Sequence, residues 1–205
     1  MDIKNVHVYN LEQAIKASKY PMLANTSLAT SEITDTTKKL GSQPRGSAHD
    51  NFLHGILVSF DLTCSNKMWI EFERYHFADI VSGQSTMHRI TKMIYDYSIT
   101  KMLYNCNEPF NEYVTNGTKK IVEELAAVYE LNPTPENYLR LLYNIPSGIE
   151  LTDHIVTNYG QLKTIWYQRH NHRLPEWRMF CEWILGLKEF KNLTGIKEGE
   201  EDGED

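Results

Sequence analysis

The run Gly55-Ile56-Leu57-Val58-Ser59-Phe60-Asp61-Leu62-Thr63 is the best strand signal in the chain. It ends in alternation, with Phe60 and Leu62 on one face, and so demands a sheet with a buried side. Ile3, Val6, Val8 and Tyr9 mark a second short strand over residues 3–9, followed by a short helix over residues 11–19. Residues 20–50 are polar and rich in Thr, Ser, Gly and Pro, a connection long enough to be functional or mobile. Ser65 is placed to cap a helix over residues 67–74, with Met68, Trp69 and Phe72 at core spacing. A loop at residues 81–85 precedes a long helix over residues 87–104.

The remainder reads as helix. Ile121, Leu125 and Val128 form one stripe, Leu139 and Leu142 another, and Leu151, Ile155, Tyr159 and Leu162 a third. Pro175 suits a first helical turn, with Glu176 beside the positive end of the dipole. Trp177, Phe180, Cys181, Ile184 and Leu187 then come at amphipathic spacing. The fold class is therefore α+β, a small sheet with a helix-rich second half. One domain is expected over residues 1–197.

Charge sets the last eight residues apart from this body. The formal net charge is -6, and Glu198, Glu200, Glu201, Asp202, Glu204 and Asp205 all fall in that short segment. Without them acids and bases balance at 21 each, so residues 198–205 read as a disordered acidic tail. A neutral body argues against a duplex-DNA binder. No run of about 18 apolar residues occurs, so a membrane span is not expected. Met1-Asp2-Ile3-Lys4-Asn5 lacks the pattern of a signal peptide. Cys64, Cys106 and Cys181 show neither CxxC spacing nor a disulfide framework. They suit reduced, partly buried thiols of a cytosolic protein.

Two polar clusters interrupt the patterned segments. Arg74-Tyr75-His76 runs into Ser82-Gly83-Gln84-Ser85-Thr86-Met87-His88-Arg89. Glycine allows close backbone approach to a ligand. Ser85 and Thr86 either cap the helix or donate to a phosphate oxygen, and His88 and Arg89 would complete an anion site. The second cluster is Gln168-Arg169-His170-Asn171-His172-Arg173, with Arg178 one turn into the next helix. Its forked donors suit a carboxylate, a phosphate or the carbonyl edge of a base; a solvated cationic turn would look the same. His170 and His172 form a His-x-His pair without a third ligand at fixed spacing, so no metal is assigned. His49 and His54 flank the main strand, where a histidine either satisfies a loop carbonyl or meets a cofactor. Trp69, Trp166, Trp177 and Trp183 fit the core. There is no P-loop, Rossmann glycine fingerprint, GxSxG or HExxH.

Taken together these segments resemble the flavin-dependent thymidylate synthases. His49-Asp50-Asn51-Phe52-Leu53-His54, leading into the strand over residues 57–63, is similar to the family's histidine-bearing segment. Arg74-Tyr75-His76 stands at its Arg-His-Arg motif and Gln84-Ser85-Thr86 at a Gln-Ser-Thr variant before its arginine. Leu174-Pro175-Glu176-Trp177, preceded by Arg169, resembles its C-terminal element. The likeness covers residues 49–90 and 160–185. Tyr75 replaces the motif histidine, His76 its second arginine, and Met87 the arginine after Ser85, although His88 and Arg89 come immediately after. Gln-Ser-Thr-Met-His and Glu-Trp-x-x-Phe-Cys-x-Trp also resemble segments of phage and Firmicutes homologues.

The resemblance implies that His49, His54, Arg74 and His76 face FAD. It implies that Gln84, Ser85, Thr86, His88 and Arg89 hold the phosphate of dUMP, and that Arg169 or Arg173 meets the uracil as the catalytic arginine. It also implies a homotetramer that transfers a methylene from a folate to C5 of dUMP, with a nicotinamide as reductant through the flavin. In such a reaction the cofactor carries the hard chemistry, while the protein orients the pyrimidine and stabilises charge on its carbonyls. The altered Arg-His-Arg motif keeps a second reading open, a non-catalytic protein that sequesters a nucleotide on the same fold. A helical interaction module using the acidic tail is a third.

Overall fold

The computed structural model describes residues 1–100 and 108–197. Cys106, the last four residues of the helix expected over 87–104, and the tail 198–205 lie outside the described residues. Strands β1 (Asp2–Tyr9), β2 (Leu57–Ser65), β3 (Asp79–Gly83) and β4 (Glu150–Asn158) form one sheet in the order β1-β2-β4-β3. The Tyr159 N–H donates to Ile56 O at 3.0 Å and the Asn66 N–H to Ile149 O at 2.8 Å, which fixes β2 and β4 as antiparallel. That register sets Asp61 opposite His154 and Thr63 opposite Thr152. Asp61 Oδ1 lies 2.6 Å from His154 Nδ1, and the two threonine hydroxyls are 2.7 Å apart. The α+β class expected from the sequence is the class observed. No helix among the described residues is long and apolar enough to cross a membrane.

The chain groups into two compact units. The first comprises Met1–Ile3, Asp61–Arg74 and Ile80–His154. It holds helices α3 (Asn66–Phe72), α4 (Thr86–Thr100), α5 (Asn116–Leu131) and α6 (Pro135–Leu142), the last three packed on one another. Ser65 caps α3 as expected, its hydroxyl accepting from the Met68 N–H at 3.2 Å. Trp69 is buried and its Nε1–H donates to Leu151 O at 3.1 Å.

The second unit contains Lys4–Phe60, Tyr75–Asp79 and the chain from Ile155 onward. Its helices are α1 (Leu11–Ala17), α2 (Asp35–Gly41), α7 (Tyr159–Arg169), α8 (Pro175–Leu185) and α9 (Phe190–Thr194). Pro175 does open α8, and Trp177, Phe180, Cys181 and Ile184 are buried. Phe60 meets Trp183 and Phe180 at ring separations of 4.7 and 5.9 Å, within the range of favourable aromatic pairs.

Several expectations are corrected. Leu151, Ile155 and Tyr159 are not a helical stripe: residues 150–158 are β4, and the helix begins only at Tyr159. A spacing of four satisfies a two-residue period as well as a helical one, and the β-branched Thr152, Ile155, Val156 and Thr157 favour the strand. Residues 81–83, expected as loop, end the exposed edge strand β3. The polar connection 20–50 contains α2, whose start is capped by Thr34 accepting from the Thr37 N–H at 3.3 Å. Residues 51–55 form a 3₁₀ turn, so the main strand starts at Leu57 rather than Gly55. The stripes of α5 and α6 are also displaced. Val122, Ala126 and Leu141 point inward, while Ile121, Val128 and Leu139 are exposed.

Helix α7 is buried along nearly its whole length, and it carries a lysine inside. The Lys163 ammonium donates to Gly41 O (2.8 Å), Gln43 O (2.6 Å) and Asp50 Oδ2 (2.9 Å). Its side chain is 1% exposed and that of Asp50 6%. Removing one partner of such a pair strands a buried charge. Lys163→Met should therefore cost about 3–5 kcal/mol of unfolding free energy, and Lys163→Met with Asp50→Leu should recover part of it. Urea titration of the three proteins measures both.

Cys64 and Cys181 are both buried. Burial pushes the Cys181 thiol up to about 12, against the opposing influence of Arg169. Cys181 should consequently resist alkylation at neutral pH in the native protein and react once it is unfolded. Mass spectrometry of iodoacetamide-treated samples reads this directly.

Candidate functional site

In the first unit the end of β3 delivers the chain to α4 through Gln84 and Ser85. The Gln84 N–H donates to Thr152 O and to Asp153 Oδ1, each at 3.1 Å. In return the Thr152 N–H donates to Gln84 Oε1 at 2.9 Å. Because that oxygen must accept, the amide orientation of Gln84 is fixed and its NH2 remains the outward donor. The glycine at 83 lines the cavity at the head of α4, and it also makes room for Asp153, since a Cβ there would run into that carboxylate. Burial raises the Asp153 carboxyl above its ordinary range; the Gln84 N–H opposes this and Glu73 adds to it.

The first turn of α4 is anchored twice. Ser85 O accepts from the N–H groups of His88 (3.3 Å) and Arg89 (3.0 Å), and the Tyr138 hydroxyl donates to Met87 O at 2.8 Å. Above this turn opens a cavity of about 850 Å³. Gln84, Ser85, His88 and Arg89 line it, so the structure brings together four of the five residues expected at the phosphate. Thr86 opens α4 but is not part of that lining.

Lys92 and Asp96 line the same cavity and were missed. They lie three and seven residues beyond Arg89 on one helix face, a spacing that would have found them. Thr152 also lines it. Sixty-eight residues separate it from Gln84, and no local pattern announces that contact. The cavity thus offers an amide, the hydroxyl residues Ser82, Ser85 and Thr152, an imidazole and two cations, with one carboxylate at the far end of the face. That donor set suits a phosphate monoester whose remainder carries a hydroxyl to donate.

In the second unit Arg169 is not a freely swinging guanidinium. Its Nε donates to the Tyr75 hydroxyl at 2.8 Å, and its Cζ lies 4.8 Å from the centroid of the buried Trp177 ring. Tyr75, the residue in place of the motif histidine, is therefore turned inward onto Arg169. Arg74 and His76 on either side of it are exposed.

The turn after α7 forms a small cavity of about 300 Å³ that includes His170, His172 and the exposed Arg173. Its histidines are occupied. His170 stacks on Trp166 at 4.2 Å, with Nδ1 2.9 Å from Trp166 O and Nε2 3.1 Å from Asn171 Nδ2. His172 Nδ1 accepts from the Leu174 N–H at 3.1 Å. The Arg178 guanidinium closes the turn by donating to His172 O at 2.6 Å.

His49 is exposed in the loop held by Lys163, and its N–H donates to Ser47 Oγ at 3.4 Å. His54 lies against Gly160, where a Cβ would come within 2.6 Å of the imidazole. Its ring meets Phe77 edge-on at 6.1 Å. None of His49, His54, Arg74 and His76 lines either of these cavities or the one between α2 and α9.

No protein-family model and no curated protein matches the chain. Solved structures do. Two of them are crystal structures of thymidylate synthase X from Helicobacter pylori, each with FAD and dUMP. They match at TM-scores of 0.71 and 0.70, with 13% identity and coverage of 95% of this chain and 97% of theirs. At that identity the likeness establishes the fold: the chain has a thymidylate synthase X-like fold.

Proposed function

We propose that this chain binds a pyrimidine mononucleotide of the dUMP type in the cavity at the head of α4, and that it acts as a flavin-dependent thymidylate synthase-like enzyme. The observation that carries the reading is the gathering of Gln84, Ser85, His88 and Arg89 around one cavity, in a fold it shares with a protein crystallised with FAD and dUMP. Arg89 supplies the forked, permanent charge for the phosphate, where Met87 cannot. Ser85 and Gln84 add neutral donors whose positions are set by backbone contacts. Lys92 raises the positive potential, and Asp96 accepts from a sugar hydroxyl.

In the second unit Arg169 and Arg173 carry forked donors suited to the carbonyl edge of a base. Arg169 comes pre-oriented, since its Nε donates to Tyr75 and its guanidinium lies over the Trp177 ring. A rigid guanidinium loses little freedom when it binds.

The side chains also suit a flavin. His54 and Phe77 make an aromatic pair with Phe77 59% exposed, a surface on which a planar ring can stack. His76 beside it, with Arg74, would meet phosphate oxygens. A bound flavin would supply the redox chemistry of the methyl transfer.

Arg89 is exposed, so Arg89→Ala should leave thermal unfolding unchanged while weakening dUMP binding about 10- to 100-fold, the loss of one charge-assisted bond. Calorimetric titration of the whole chain with dUMP measures it; no binding by the parent protein, or equal binding by the variant, refutes the nucleotide site. FAD added during purification should be retained and give a flavin absorption spectrum, reduced in His54→Ala. Retention of dUMP without any FAD would instead favour the sequestering protein, the reading that the inward-turned Tyr75 supports.

A further inference from the structure

One row of side chains in the first unit reaches from the cavity across the sheet. β3 pairs with β4. The Gln84 N–H donates to Thr152 O at 3.1 Å, and the Cβ direction of Gly83 meets the Asp153 carboxylate. Numbers that fall along β3 therefore rise along β4, and the next pair in that register is Ser82 with His154. The register of β2 against β4 sets Asp61 on the other side of His154. Opposed residues of antiparallel neighbours share a face, with Cβ atoms about 4.5–5.5 Å apart. Ser82, His154 and Asp61 consequently form one row over β3, β4 and β2.

Asp61 Oδ1 lies 2.6 Å from His154 Nδ1, and the His154 ring has no other hydrogen bond or ion pair among the described residues. An ionised carboxylate only accepts, so Nδ1 carries the proton. Nε2 then lies on the ring edge away from Asp61 and β2, with its lone pair open to a proton. The side chain of His154 is 39% exposed and that of Asp61 29%, so both are reachable from solvent. Ser82 is exposed and lines the cavity of the first unit.

A serine hydroxyl, an imidazole beside it and a carboxylate on the imidazole's far nitrogen are the parts of an activated nucleophile. Such a set is recognised by geometry, not by order in the chain. Two residues along β3 from Ser82, the Oε1 of Gln84 is engaged by the Thr152 N–H, which leaves its NH2 as a positioned donor for an oxyanion. Arg89 and Lys92 line the same cavity and favour a substrate with an anionic group.

We propose that Ser82, His154 and Asp61 form a hydrolytic site for carboxylic esters that carry a negative charge. Ser82 Oγ bonds to the ester carbonyl carbon and gives its proton to His154 Nε2. The bond from that carbon to the alkoxy oxygen breaks, and the alcohol departs with the proton. Water then attacks the acyl group on Ser82 and gives a proton to His154, which returns it to Ser82 Oγ as the carboxylic acid leaves. Asp61 is a positioning residue that keeps the ring in one tautomer. The site goes beyond nucleotide binding and needs neither nucleotide nor flavin.

Treatment of the whole chain with a fluorophosphonate probe tests this. The probe forms a bond from Ser82 Oγ to phosphorus, releases fluoride and leaves the proton on His154, so peptide mapping should find the adduct on Ser82. His154→Ala should slow labelling about 100-fold or more, the loss of a general base, and added imidazole should restore part of the rate. Asp61→Asn should slow it too. His154→Gln repeats the test with less change of volume, and thermal unfolding shows that each variant is folded. The 4-nitrophenyl monoester of adipic acid should be cleaved faster than 4-nitrophenyl acetate, and Ser82→Ala should cleave neither above the buffer rate. Three results overturn the proposal: no adduct on Ser82, an adduct formed equally fast in folded His154→Ala or His154→Gln, or ester cleavage undiminished in Ser82→Ala.

Discussion

One buried ammonium holds the second unit to a single arrangement. Lys163 sits inside α7, a helix with no polar face to mark its surroundings, and it donates to two carbonyls and a carboxylate of residues 41–50. Those residues are polar and bury little apolar surface of their own. Without a charge to converge on, their backbone would have many equivalent paths. With three acceptors supplied, the desolvated cation is satisfied and the loop is fixed. His49 and the 3₁₀ turn bearing His54 adjoin Asp50 directly, so the placement of two candidate ligand-binding histidines descends from that ion pair. The other polar groups of α7 are likewise satisfied: Asn158 Oδ1 accepts from the Gln161 N–H, and the Thr164 hydroxyl donates to Gly160 O.

This also explains what was legible in the sequence. Elements with one wet face and one dry face announced themselves: β2, α3 and α8 appear where alternation or helical spacing placed them. α7 has no such contrast, because every residue from Tyr159 to Trp166 is buried. β4 hid for another reason, since Leu151 and Ile155 four residues apart satisfy both periods. β3 is exposed along its whole length and has no buried face to generate a pattern. In α5 two apolar stripes compete, and the one containing the small Ala126 faces inward.

The candidate site divides along the same line. Gln84, Ser85, His88 and Arg89 sit close together in sequence, and glycine and hydroxyl residues before a helix gave them away. Thr152 and Asp153 come from a strand far along the chain, and only the β3–β4 register brings them in. Gly83 lines the cavity, as a glycine at a place of close approach should, and it also makes room for Asp153, which no local pattern announced. Arg169 shows the reverse problem. Its charge drew attention, whereas its partners Tyr75 and Trp177 are what determine its behaviour: a guanidinium stacked on a buried indole and hydrogen-bonded to a phenol is a fixed donor.

A fold shared at 13% identity means that the burial pattern has been kept while most side chains have not. Packing tolerates exchange among apolar residues of similar volume, so the core alone says little about activity. Chemistry rests on the exposed and half-exposed groups, which packing does not constrain. Here those groups depart from the resembling family in an ordered way. Where the arginine after Ser85 is replaced by Met87, Arg89 lies two residues on and lines the cavity. Where the motif histidine is replaced by Tyr75, the new side chain turns inward and holds another arginine. Arg89 thus keeps a guanidinium on the cavity of the first unit, while in the second unit Tyr75 braces Arg169.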